Sequence, residues 1–95
     1  MFTILGKTTE GRTVVGGVYR AFETHGIPLD LLLEQLHQKG LVPSWTDFYV
    51  EALSAGMKHE RILSKLEPAL CDVYGRDFKN TVIGRLNALK GGGHG

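Results

Sequence analysis

Apolar residues recur along this chain in short blocks, and Gly26, Gly40, Gly56, Gly75 and Gly91 each stand after a stretch with helical spacing. Glycine accepts the left-handed conformation that closes a helix without a Cβ clash, so this punctuation predicts about five helices. The clearest starts at Ser44, whose hydroxyl suits an N-cap, with Asp47 at the third position of a capping box. Trp45, Phe48, Tyr49, Ala52 and Leu53 then fall at i, i+3, i+4, i+7 and i+8, one stripe of a helix that Gly56 ends.

Upstream of it, Pro28 suits a first helical turn, Asp30 complements the positive helix end, and Leu31, Leu32, Leu33 and Leu36 supply an apolar face. Gly40 and Pro43 close that segment and leave only a short connection to Ser44. Downstream, Ile62, Leu63, Leu66, Leu70 and Val73 keep helical phase from Lys58 to Tyr74, but Pro68 lies among them. A proline in a helix interior removes a backbone donor and crowds the carbonyl four residues back, at about 3 kcal/mol, so a break is expected near Glu67. Asp77 caps the last predicted helix, Phe78, Val82, Leu86 and Leu89 form its stripe, and Gly91 ends it.

The first twenty residues admit two readings. FTIL and TVVGGVY would pair as a β-hairpin turning at Glu10 and Gly11, whereas Val14, Val15, Val18, Tyr19 and Phe22 also match one helical face. The helical reading is preferred here, although Gly16 and Gly17 each cost roughly 1 kcal/mol inside a helix and so suggest close packing by a neighbour.

The fold expected is therefore all-α, a compact bundle of about four to six short helices with room for a short extended segment at the N-terminus. It forms one domain over residues 1–90, followed by a flexible glycine-rich tail at 91–95. The predicted core comprises Val14, Val18, Phe22, Leu32, Leu36, Trp45, Phe48, Ala52, Leu53, Ile62, Leu66, Leu70, Val73, Phe78, Val82 and Leu86.

Composition changes this picture little. At 95 residues, 42% hydrophobic and 22% charged, the chain matches one ordinary small domain. No apolar run approaches the roughly 18 residues of a bilayer span, and the opening MFTILGKTTEGR lacks the features of a signal peptide. Cys71 is the only cysteine, so no internal disulfide forms and the cytoplasm is the expected compartment. On a helix between Leu70 and Asp72, it reads as a packing residue rather than a nucleophile.

Charge is uneven beneath a net charge of +1. From Ala21 to Met57 a single lysine faces five acids, a net −4, while from Lys58 to Lys90 seven bases face four acids, a net +3.

Candidate chemistry fails at identifiable positions. Gly6-Lys7-Thr8 resembles the end of a phosphate-binding loop, but Met1 stands where its first glycine belongs. His59-Glu60 opens a zinc-protease pattern whose second histidine would be residue 63, which is Leu63. No catalytic, cofactor-binding or metal site is expected, and the chain reads as a non-enzyme.

Two readings of surfaces remain. The first is a small protein-interaction or self-associating module, partnered by itself as a homo-oligomer or by another protein, with Gly16, Gly17, Tyr19, Trp45 and Tyr49 as candidate interface residues. The alternative is a DNA- or nucleic-acid-binding regulator that contacts phosphates through Arg76, Lys79 and Arg85. A helix-turn-helix across Gly40 is disfavoured, because Asp47 and Glu51 would face the phosphates. No membrane partner is expected.

Overall fold

A computed structural model describes residues 2–92. The element order is β1 (Thr3–Lys7), β2 (Thr13–Gly16), α1 (Val18–His25), α2 (Leu29–Gln38), β3 (Leu41–Pro43), α3 (Trp45–Ser54), α4 (His59–Tyr74) and α5 (Arg76–Gly92). Among the described residues five helices thus accompany a three-stranded mixed sheet of order β1-β2-β3, which corrects the all-α expectation to an α/β fold. No helix among the described residues is long and apolar enough to cross a membrane.

The correction begins at the paired glycines. Gly17 has φ 81, a left-handed value that no helix interior accepts, so the helix starts only at Val18 and Gly17 is its N-cap. The β-branched run Thr13-Val14-Val15 before it forms a strand, as that residue type prefers. The hairpin alternative is therefore the one the structure adopts. Its turn is closed by Gly11 N–H donating to the Thr8 carbonyl at 3.0 Å, with Thr8 Oγ1 accepting from Arg12 N–H at 3.1 Å. β1 pairs antiparallel with β2, matching Ile4 with Val15 and Gly6 with Val14, so Leu5 falls at an irregularity between them.

β3 is the element the periodicity missed. It pairs parallel to β2, matching Val14 with Val42 and Val15 with Pro43, and the α1–α2 pair forms the crossover that parallel strands need. Three residues are too few to show any alternation.

Pro68 corrects a second expectation, because α4 runs unbroken from His59 to Tyr74. The proline is exposed on the solvent side of the helix, as is Ser64, whose carbonyl would have accepted the missing N–H. The buried face of Ile62, Leu66, Ala69 and Leu70 holds the helix together across the gap. At the other end of the chain, α5 continues past Gly91 to Gly92. Of the tail, residues 93–95 lie outside the described residues.

The core lies among the helices, joined by Val15 of β2, with α4 packed on both α2 and α5. Val18, Leu32, Leu36, Trp45, Phe48, Ala52, Ile62, Leu66, Leu70, Val82 and Leu86 are buried in it. Val14, Phe22, Val73 and Phe78 are half-buried, and Leu53 is exposed because α3 ends one residue later. Val15, Tyr19, Leu29, Leu33, Tyr49 and Ala69 join the core instead. Cys71, expected to pack inside, is exposed.

An aromatic cluster ties three helices together. The Trp45 ring meets Tyr74 edge-on at 5.9 Å and Phe78 at 6.0 Å, and Tyr74 stacks on Phe78 at 4.6 Å. The Tyr74 hydroxyl is buried there without a hydrogen-bond partner. Burial pushes its pKa from 10.0 up to about 12, against a smaller opposing pull from the Arg12 guanidinium. Because the folded value lies above the unfolded one, this phenol favours the fold less as pH rises from 10.0 towards about 12, and has no such effect below that window. Spectrophotometric titration should show the Tyr74 phenolate appearing only as the protein unfolds in alkali. Complete ionisation of the tyrosines in a still-folded chain within that window would contradict this placement of Tyr74.

Candidate interaction edge

The two edges of the sheet are built differently. β3 is short and half-buried against α2, and it ends in buried Pro43, which has no N–H to offer. Ser44 N–H turns inward to the Val15 carbonyl at 2.8 Å. That edge is closed.

β1 is the open edge. All five of its residues are exposed, and no strand among the described residues lies beyond it. Ile4 is 72% exposed and Leu5 53%, two large apolar side chains left open to solvent on a strand that carries no proline. An edge strand presents unpaired N–H and C=O groups, here interrupted at the Leu5 irregularity, so an apolar one offers a short template for a further strand. Ile4 shares a face with its register partner Val15, which is buried, but it stands beyond the end of the core. Leu5 lies across Gly16. A Cβ at that glycine would come within 3.0 Å of Leu5 Cδ1 and 3.1 Å of Asp47 Oδ2, so only glycine lets the leucine rest there undisturbed.

A cleft of about 390 Å³ borders the same edge, between Thr3 and Leu5 of β1, Arg20 and His25 of α1, and Asp47 and Glu51 of α3. Asp47 Oδ2 accepts from Gly17 N–H at 2.9 Å, which satisfies one of the N–H groups at the N-terminus of α1 from within the chain. One Glu51 carboxylate oxygen is buried without a hydrogen-bond partner. A larger cleft of about 560 Å³ lies between Pro28 and Leu29 on one side and Arg61, Lys65 and Pro68 on the other. Its mixed charges converge on no common point of chemistry.

The residues singled out from sequence are dispersed. Gly16, buried on the central strand β2, and Gly17, the N-cap of α1, line the cleft beside the open edge, whereas Tyr19, Trp45 and Tyr49 are buried within one copy. Tyr49 also commits its hydroxyl inside the molecule. It donates to His59 Nδ1 at 2.8 Å, and His59 Nε2–H donates to Asn87 Oδ1 at 2.8 Å, a strut linking α3, α4 and α5.

Arg76, Lys79 and Arg85 do not form one strip. Nine residues of helix make about 2.5 turns, so Arg76 and Arg85 point to opposite sides of α5. Lys79 is half-buried and pairs with Glu67 at 3.8 Å.

Ile4 and Leu5 are the residues that sequence reasoning left out. The signal was the hairpin alternative, whose first strand has no partner on its far side. Among the described residues, no three metal-ligating side chains converge. Comparison with protein-family models, with curated proteins and with solved structures finds no match to this chain.

Proposed function

We propose that this chain is a small non-enzymatic protein-interaction module that receives its partner as an additional strand on β1. The observation that carries this reading is the contrast between the two sheet edges, one closed by Pro43 and one open at Ile4 and Leu5. Strand addition draws affinity from main-chain hydrogen bonds and selectivity from alternate side chains, so it needs no deep pocket. The lone cysteine fits a reducing compartment such as the cytoplasm.

Nucleic-acid binding has less support, because Arg76 and Arg85 face apart and Lys79 is engaged. Electrostatic binding to phosphates should weaken steeply with salt, whereas strand addition should respond little. The test is a titration of isotope-labelled protein, followed by amide chemical shifts, with an alternating valine-threonine peptide and separately with a nonspecific DNA duplex at two salt concentrations. Shifts confined to β1 and its turn on adding peptide, similar at both salts, are expected. Salt-sensitive shifts along α5 with the duplex, and none with the peptide, would replace this reading by the nucleic-acid one.

A further inference from the structure

We infer that the strand received by β1 is β1 of a second copy, paired antiparallel about a two-fold axis. This rests on the interaction reading above and names its partner. The first support is the arrangement of apolar side chains. Ile4 lies on the Val15 face of the sheet and Leu5 lies over Gly16 on the other, so both faces of the open edge are apolar. A strand that brings apolar side chains to both faces covers more of this edge than one that alternates apolar with polar residues, as exposed strands ordinarily do, and β1 itself carries one on each face.

Charge selects the direction. Lys7 is the sole charged residue of β1 and stands at its C-terminal end. Parallel pairing would set the two lysines side by side, which is unfavourable, whereas antiparallel pairing separates them by the length of the strand.

Closure follows from the other edge. Two copies joined at β1 form a six-stranded sheet whose outer strands are both β3, already closed by Pro43. An isologous contact of this kind stops at the dimer instead of propagating into a fibre. Two strands of five residues fall short of the roughly 800 Å² per partner of a stable interface, so the dimer should be weak and concentration-dependent.

Sedimentation equilibrium of the full chain from about 10 µM to about 1 mM tests this directly. The expected result is a monomer–dimer equilibrium with no larger species. Replacing both Ile4→Lys and Leu5→Lys should raise the dissociation constant at least about tenfold by setting charges in the paired edge. Ile4→Thr with Leu5→Thr keeps strand-forming residues while removing the apolar contacts, and should weaken the dimer in the same direction if the lysine variant misfolds. A dimer that persists in a folded edge variant overturns the inference by placing self-association elsewhere. A chain that stays monomeric while the valine-threonine peptide still shifts the β1 amides overturns self-pairing and leaves the interaction reading standing. A monomer with no such shift overturns both.

Discussion

Replacing Trp45 with alanine is expected to cost about 3–5 kcal/mol and to leave the domain largely unfolded near physiological temperature. Trp45 is 5% exposed at the first turn of α3, where it meets Tyr74 of α4 and Phe78 of α5 edge-on. Truncation removes both aromatic contacts and opens a cavity where three helices meet, one that Tyr74 and Phe78 cannot fill without giving up their own stacking. A domain of this size has a total stability of only about 5–14 kcal/mol, so the loss takes a large share of it. Trp45→Phe keeps a ring in the site and should lose less than half as much. Because Trp45 is the only tryptophan, unfolding is followed by far-UV circular dichroism in urea rather than by indole fluorescence. A melting temperature within about 4 °C of the wild type would show that the ring contributes little to the core.

The same residue shows what the chain reveals without its structure. Trp45, Phe48, Tyr49 and Ala52 are legible as one buried stripe because a helix capped by Ser44 fixes their phase. The phase of α2 is not legible in that way, since three consecutive leucines satisfy several registers, and the structure buries Leu33 while leaving Leu31 48% exposed. The sheet was harder to read. Val14 and Val15 satisfy a helical spacing with Val18, Tyr19 and Phe22, but the last three belong to α1 and the first two to β2, separated by a left-handed Gly17. β3 depends on a partner 28 residues away by register, Thr13 with Leu41, and no local pattern encodes such a pairing. The open edge was hidden for a related reason: the openness of β1 is a property of the sheet, visible only once β2 and β3 are seen to lie on one side of it.

Asp47→Ala is expected to cost about 1.5–3 kcal/mol, more than its half-buried position alone would suggest, because this side chain serves a different helix from the one it sits on. The sequence places Asp47 in a capping box, where its carboxylate would turn back to the Ser44 N–H. In the structure that N–H is already given to the Val15 carbonyl at 2.8 Å, and only half the box forms, with Asp47 N–H donating to Ser44 Oγ at 3.2 Å. The carboxylate is thereby released to accept from Gly17 N–H at 2.9 Å, thirty residues away in the chain, joining α3 to the junction of β2 and α1. Alanine leaves that donor without its charged acceptor at the positive end of α1, and also removes the side chain that lies over Gly16. Asp47→Asn retains an acceptor oxygen without the charge and should recover about half of the lost stability. Chemical denaturation of the three proteins gives the energies, and amide exchange localises them. Gly17 and the first turn of α1 should exchange faster in Asp47→Ala, while the Ser44 end of α3, whose cap uses the backbone of residue 47, stays protected. Uniform loss of protection across α1 and α3 would place the effect in global unfolding and count against a local tie between Asp47 and Gly17.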